Sequence, residues 1–337
     1  MSTDTQTPFE VFLNQHDAEA WERVLSDLLP QVHEVDRNAT RIWFHFFPLE
    51  LLRVFQQAED PEKLARELEM RGNFFLHEQV DTSHVFLYGH RFWPDVKKEV
   101  EALASAQAAP ANLLLGSQIR DVAERVAAAR KVERSLVVGV AAVAFMTLQQ
   151  VGLAAFRAAP GKVHIDEQHA RRTPEQILRA RARDDSQGVL GFLRTNDKRW
   201  TVVWDENKDD RRFKLVNMQE IASAAATDKR DWTSVDPRCT VDEGPIPVQC
   251  RSASCGTCWV GVLGGAEKLT PVAAREARKI KEMGYIDTDE THPLIRLSCQ
   301  AQSTGAVSIV IPPWNGFFGK YLRRLREEQS REVESVK

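Results

Sequence analysis

Four cysteines in the last third of the chain have a spacing that suits a metal cluster. Three stand in the segment CRSASCGTC, a C-x4-C-x2-C arrangement, and one follows in RLSCQAQ; they are Cys250, Cys255, Cys258 and Cys299. This is the spacing of a [2Fe–2S] cluster held by four thiolates. The loop must also turn its backbone N–H groups towards the bridging sulfides, and its small side chains allow that approach. We therefore predict these cysteines as the metal ligands and, around the cofactor, Arg251, Ser252, Ser254, Gly256 and Thr257.

Two other interpretations of the cysteines fit less well. A structural zinc site is typically built from two C-x2-C pairs or a mixture of Cys and His, whereas Cys299 has no neighbouring Cys or His. Disulfides would leave one of the five cysteines unpaired. The fifth, Cys239, is interpreted as a small buried hydrophobic residue.

The cysteines lie in a region where strand and helix patterns follow one another after Asn196. RWTVVWDEN and RFKLVNM predict a hairpin, and CWVGVL and AVSIVIPP predict two further strands. QEIASAAA predicts a short helix, and TPVAAREARKIKEMG a longer one with Thr270 as N-cap, Pro271 in the first turn and Gly284 as the stop. This order predicts an α+β domain over residues 191–319.

The block from about Lys198 to Pro313 resembles the plant-type [2Fe–2S] ferredoxin family. The resemblance is carried by Cys250-Arg251, Ser254-Cys255, Cys258, the RLSCQ around Cys299, and the closing strand SIVIP. It implies a β-grasp fold, one-electron transport and a redox partner protein. One position departs from the family, because Ala253 stands where such loops commonly have glycine. If that position needs a positive φ, the loop must differ slightly or tolerate strain.

Residues 1–190 are predicted to form a separate, mostly α-helical domain. Its apolar residues recur at helical spacing, and prolines mark where helices end or begin. Pro30 and Pro48 are predicted to interrupt helices, Pro94 to begin one, and DPEKLARELEMRG to run from an Asp60 cap to Gly72. We predict a connecting helix over 172–194 and a charged helical tail over 320–337.

An uncharged run, SLVVGVAAVAFMTLQQVGLAAF, separates Arg134 from Arg157. It is long enough to span a bilayer, but Gln149 and Gln150 are costly in lipid. We predict that residues 135–156 form the central buried helix of the N-terminal domain, with membrane association through this helix as the alternative.

Composition restricts the class of protein. The chain of 337 residues is 28% charged and 43% hydrophobic, with a formal net charge of -3 and a pI near 6.3, which argues against nucleic-acid binding. The segment MSTDTQTPFEVF lacks the basic and apolar regions of a secretory signal, so a cytoplasmic location is expected. No G-x-G-x-x-G follows a predicted strand, and no further cysteines are present for a second cluster.

Two functions remain open from the sequence. The first is an electron carrier whose helical N-terminal half docks it to a redox partner or complex. The second is a redox enzyme subunit or sensor whose N-terminal half binds a second cofactor or responds to the state of the cluster. The second would need ligands among His45, His77, His84, His90, His164 and His169. His77 and His84 are spaced to share a helical face, but no Glu-x-x-His pair supports a di-iron site, so ordinary histidines are expected.

Two surface features bear on partners. Asp287, Asp289 and Glu290 form an acidic cluster ahead of Cys299, either a docking patch or a solvated loop. Trp314, Phe317 and Phe318 either pack the tail onto the core or offer an apolar contact.

Overall fold

The computed structural model describes residues 6–106, 114–185, 198–283, 290–316 and 318–335. The fold is mixed α and β, with helices in the N-terminal part and the main sheet in the C-terminal part. The chain groups into two compact units, Met1–Val54 with Phe75–Leu178, and Phe55–Phe74 with Arg179–Lys337. The second unit is therefore built from two separate stretches of chain.

α-Helices make up most of the described chain up to Ala180. They are α1 (Pro8–Asn14), α2 (Ala18–Leu28), α3 (Glu34–Phe46), α4 (Leu49–Gln57), α5 (Pro61–Glu67), α6 (Trp93–Ala104), α7 (Leu115–Arg130), α8 (Ser135–Ala158), α9 (Glu167–Ala170) and α10 (Pro174–Ala180). The predicted breaks at Pro30 and Pro48 are confirmed, because each proline lies between two helices. The Asp60 carboxylate caps α5 through the Lys63 N–H at 2.9 Å, also as predicted.

Helix α8 is the core of the first unit. From Leu136 to Gln149 every side chain is buried, and α1, α3, α6 and α7 all pack against it. Both glutamines are satisfied inside the protein: Gln149 accepts a hydrogen bond from Trp21 Nε1, and Gln150 Nε2 donates to the Phe47 carbonyl at 2.8 Å. Among the described residues α8 is the helix long and apolar enough to cross a bilayer, a property it shares with buried core helices of soluble proteins. Membrane association stays a prediction.

Helix α8 breaks near its end, at Gly152, where φ is +75°. The break frees the Leu153 N–H, which donates to Glu10 Oε1 at 2.7 Å. The other oxygen of Glu10 accepts the Thr7 N–H at 2.8 Å and closes the capping box of α1. The Glu10 carboxylate therefore accepts hydrogen bonds at two places, the N-terminus of α1 and the break in α8.

A five-stranded sheet organises the second unit, in the order β3-β2-β6-β4-β5. Its strands are β2 (Arg199–Val203), β3 (Arg212–Val216), β4 (Trp259–Gly264), β5 (Ile295–Leu297) and β6 (Val307–Val310). The predicted hairpin is confirmed as the antiparallel pair β2 and β3. Strand β2 also pairs in parallel with β6, and β4 lies antiparallel to both β6 and β5.

The helices of the second unit differ from the predictions in two places. They include α11 (Ile221–Ala225), α12 (Ala274–Glu282) and α13 (Phe318–Ser335), the last confirming a helical tail. The prediction that Thr270 caps α12 is wrong: the N-cap is Ala273, while the Thr270 hydroxyl accepts a hydrogen bond from the Gln302 N–H. The helix predicted over 172–194 is too long, since α10 ends at Ala180 and Ala182 adopts a positive φ of 53°. Gly284, the predicted stop of α12, lies outside the described residues.

A small two-stranded sheet ties residues 55–74 to the end of the chain. Strand β1 (Arg71–Gly72) pairs antiparallel with β7 (Trp314–Asn315). Trp314 and Phe318 are both fully buried, so these two members of the aromatic cluster pack into the core; Phe317 lies outside the described residues. In the same core the indole N–H of Trp259 donates to the Trp314 carbonyl at 2.8 Å.

Candidate metal centre

Two paired strands bring Cys258 and Cys299 to the same place. Cys258 immediately precedes β4, Cys299 lies just beyond the end of β5, and Trp259 is paired with Leu297 in the antiparallel ladder. The Ser298 N–H donates to the Cys258 carbonyl at 2.9 Å. The turn that carries Cys299 is also held by α11, because the Ala222 N–H donates to the Ser298 carbonyl at 2.9 Å.

The first cysteine of the loop is surrounded by backbone donors. The N–H groups of Ser252, Ser254 and Cys255 point to Cys250 Sγ at 3.4, 3.3 and 3.3 Å. Burial raises the pKa of the Cys250 thiol, but hydrogen bonds from Ser254, Ser252 and Cys255 outweigh it and bring the pKa down to about 5. The loop is therefore folded to stabilise negative charge on this sulfur, as a thiolate ligand requires.

Cys258 and Cys299 shift each other's pKa. Interaction with Cys299, together with burial, raises the pKa of Cys258 well above its ordinary value. The same interaction lowers the pKa of Cys299 to about 7, with further help from Gln300 and from the Ala253 N–H. Cys255 lies near enough to Cys258, and Cys250 near enough to Cys299, to interact electrostatically. The fold thus places each of the four predicted ligands within electrostatic range of another.

The other predicted site residues lie around these cysteines. Thr257 Oγ1 is 3.1 Å from Cys255 Sγ, and the hydroxyls of Ser252 and Ser254 are 3.0 Å apart. The Arg251 side chain points to Glu243, 3.5 Å away. Its predicted role beside the cofactor stays a prediction.

The cysteine loop uses the left-handed region of backbone conformation three times. Arg251 has a φ of +52°, Ala253 of +54° and Gly256 of +68°. Glycine is needed at position 256 for two reasons. Its φ is positive, and a Cβ there would lie 2.7 Å from Met283 Sδ. The departure at Ala253 is thus explained: this alanine adopts the positive φ that the loop needs and tolerates the strain.

Replacing Ala253 with glycine should stabilise the second unit. The left-handed conformation costs an alanine about 1–2 kcal/mol. The greater conformational freedom of glycine in the unfolded chain offsets about 0.4–1 kcal/mol of this, which leaves a net gain of about 0–1.6 kcal/mol. The measurement is urea unfolding followed by the fluorescence of the second unit's tryptophans. Ala277→Gly, inside α12, is the matched control and should destabilise by about 1 kcal/mol. Destabilisation by Ala253→Gly of similar size would contradict the strain argument.

The donors available at this site are the four cysteine thiols and the backbone N–H groups around Cys250. Among the residues that the structure describes, no three or more side chains of His, Cys, Asp or Glu converge to hold one metal ion. A [2Fe–2S] cluster has a different requirement, because each iron takes two protein thiolates and two bridging sulfides. Four thiols, small side chains and N–H groups directed at sulfur fit that requirement.

Cys239 has a separate environment. Its thiol donates to the Pro245 carbonyl at 3.3 Å, and burial raises its pKa to about 12. Such a thiol is a poor ligand and a poor nucleophile at neutral pH.

The histidines do not form the arrangement that the sequence suggested. His77 and His84 do not share a helical face: a short 3-10 turn over Leu76–Glu78 is followed by irregular turns, and His77 is half-exposed while His84 is fully buried. His84 and His90 lie together instead, with ring centroids 4.8 Å apart, and His90 Nε2 accepts the His164 N–H at 2.9 Å. In the described residues neither His84 Nε2 nor His90 Nδ1 has a hydrogen-bond partner.

This histidine pair should make the first unit sensitive to acid. Burial, with a smaller contribution from His164, lowers the pKa of His90 to about 4 against a partly opposing effect of Asp81; burial also lowers the pKa of His84. A lowered pKa means that the folded state stays neutral while the unfolded chain binds a proton below about pH 6.5. Stability is therefore lost as the pH falls from about 6.5 towards 4, by about 2 kcal/mol at pH 5 from His90 alone.

The check is urea unfolding of the first unit at pH 7.5 and pH 5, followed by circular dichroism. His90→Gln should weaken the pH dependence. The control His77→Gln, at a half-exposed side chain, should retain it. An identical pH dependence in wild type and His90→Gln would contradict the assignment.

Sequence reasoning missed two supports of the site. Gln300 donates to Cys299 Sγ at 3.5 Å and to the Cys299 carbonyl at 2.8 Å; its place beside the cysteine was the available signal. Glu276 of α12 binds Arg296 through both carboxylate oxygens, at 2.9 and 3.0 Å, and also accepts the Leu297 N–H at 2.8 Å. This pair is buried and fixes the strand that leads to Cys299. Nothing in the spacing of these residues indicated it.

No family model, curated protein or solved structure matches this chain significantly. Its function is therefore inferred from the cysteine loop and the residues around it.

Proposed function

We propose that the protein is a one-electron carrier that holds a [2Fe–2S] cluster through Cys250, Cys255, Cys258 and Cys299. The observation that carries the proposal is the set of three backbone N–H groups directed at Cys250 Sγ, in a loop with ferredoxin-type cysteine spacing. We propose a cytoplasmic protein that exchanges electrons with a redox partner protein or complex.

Each part of the loop has a role in this proposal. The bound cluster would supply one-electron storage. The N–H groups around Cys250 would stabilise negative charge on the ligand sulfur, and such hydrogen bonds tune the potential of the bound group. Cys258 and Cys299 are buried, whereas Cys250 and Cys255 are partly exposed and Ser254 is exposed. The partly exposed edge gives a partner protein a short path for the electron.

We also propose that the sheet of the second unit is a β-grasp. The support is its topology: an N-terminal hairpin whose first strand, β2, pairs in parallel with β6, and a second antiparallel pair, β4 and β5, on the other side of β6. In this arrangement the cysteine loop immediately precedes β4, and the fourth cysteine follows β5.

Spectroscopy of the full chain, purified without oxygen, tests the proposal. We expect visible absorption from iron–sulfur charge transfer, iron and acid-labile sulfide in equal amounts, and an electron paramagnetic resonance signal only after one-electron reduction. With four thiolates and no histidine ligand, the midpoint potential should lie near about -400 mV. A chain that binds zinc, or that binds no iron after reconstitution with iron and sulfide, would overturn the proposal. A midpoint above about -150 mV would contradict the assigned ligand environment.

A further inference from the structure

We propose that helices α12 and α13 present a basic docking surface beside the cluster, which receives the acidic surface of a redox partner protein. The basic face consists of Arg275, Arg278, Lys281, Lys320, Arg323 and Arg324. The inference rests on the proposed function, since it assigns the kind of partner that the cluster would serve.

The basic face adjoins the cysteine loop. Gly256 lies directly against α12 and the residue that follows it: a Cβ at Gly256 would be 2.7 Å from Met283 Sδ and 3.8 Å from Lys279 Cδ. Helix α13 lies next to α12, because Arg323 Nη1 donates to the Lys281 carbonyl at 3.3 Å. A partner seated on these helices would therefore contact the helix against which the cysteine loop packs.

The charges on this face are largely uncompensated. Arg275, Arg278, Lys281, Lys320 and Arg324 are exposed, and Arg323 is half-buried. Of the acidic residues of α12, Glu276 pairs with buried Arg296, and Glu282 pairs with Lys279 at 2.7 Å and also interacts with Arg323 and Lys320, so the uncompensated charges are those of Arg275, Arg278 and Lys281. Within the described residues, Arg275, Arg278 and Lys281 form no ion pair, and Arg324 has only a 3.8 Å contact with Glu328.

A cluster of this kind affects association more than stability. The whole chain is slightly acidic, with a formal net charge of -3, so a concentrated positive area beside the redox centre is a local feature. Local fields of this type raise the rate at which an oppositely charged partner finds the productive orientation. The occupant that suits such a limited area on an acidic protein is an acidic protein surface, rather than the extended backbone of a nucleic acid.

Two small oxidants of opposite charge test the field at the cluster. The reduced protein is mixed with tris(oxalato)cobaltate(III), an anion, or hexaamminecobalt(III), a cation; one electron passes from the protein to cobalt(III), giving cobalt(II), and the visible absorption returns. The variants are Arg278→Glu/Lys281→Glu on the basic face and, as control, Lys208→Glu/Arg212→Glu in the β2–β3 hairpin, at the other edge of the sheet.

At an ionic strength of about 0.01 M, charge reversal on the basic face should slow oxidation by the anion about tenfold and accelerate oxidation by the cation. Both effects should disappear near 1 M salt, where screening acts within about 3 Å. The control should behave as wild type. Equal rates for wild type and Arg278→Glu/Lys281→Glu with both oxidants would overturn the inference, even though the cluster is present.

Poly-L-glutamate is the probe for an acidic protein surface. Labelled polymer should bind the wild type and the control at low salt, and binding to Arg278→Glu/Lys281→Glu should be lost. This measurement does not depend on the cluster, so its outcome is separate from that of the proposed function. If a DNA oligonucleotide of equal charge binds the basic face more tightly than poly-L-glutamate, the assignment to an acidic protein is wrong.

Discussion

Replacing Cys258 with serine is expected to give protein without the visible absorption of a [2Fe–2S] cluster. Cys258 immediately precedes β4 and its carbonyl accepts the Ser298 N–H next to Cys299, so its loss removes one of the two ligands supplied by the paired strands. Loss or strong alteration of the absorption is likewise expected for serine at Cys250, Cys255 or Cys299, because each change leaves one iron with a single thiolate ligand. Absorption and iron content after reconstitution give the measurement.

The matched control is Cys239→Ser, which should keep the full absorption and iron content. Cys239 donates to the Pro245 carbonyl and has a raised pKa, so serine can replace its hydrogen bond without affecting the cysteine loop. A cluster lost on changing Cys239 alone would show that the ligand set is wrong.

The second large effect is expected from breaking the buried ion pair between α12 and β5. Glu276→Ala should destabilise the second unit by about 3–5 kcal/mol, because it leaves the Arg296 guanidinium buried without its counter-ion. The Leu297 N–H also loses its acceptor. Since β5 leads directly to Cys299, we expect earlier loss of the cluster in urea, measured by visible absorption together with tryptophan fluorescence.

Two further variants separate the charge effect from a general effect of substitution. Glu276→Leu/Arg296→Met removes both charges and should recover most of the stability, because an apolar pair of similar size replaces the ion pair. Glu62→Ala breaks an exposed pair with Arg66, 3.8 Å apart, and should change the urea midpoint little. If Glu276→Ala were as mild as Glu62→Ala, the buried pair would not stabilise the strand.

Local chemistry in the sequence was sufficient for several parts of this protein. Prolines interrupt helices at Pro30 and Pro48, and Asp60 caps α5, because these effects act within a few residues. The alternation of apolar and polar residues on either side of the turn NKDDR likewise predicted the β2–β3 hairpin. The spacing of the cysteines identified the candidate ligands for the same reason, since a compact loop supplies three of the four.

The features that only the tertiary structure decided involve contacts between residues far apart in the chain. Thr270 does not cap α12, because its hydroxyl and backbone engage Gln302 instead. Residues 55–74 group with the C-terminal unit, and β1 pairs there with β7. Because β1 has only two residues, no local sequence pattern predicts this pairing. The same is true of the contacts that bury α8, of the hydrogen bonds of Gln149 and Gln150, and of the Glu276–Arg296 pair, because each joins residues far apart in the chain. Local sequence determines turns, caps and loop ligands, whereas contacts between distant segments depend on how the whole chain packs.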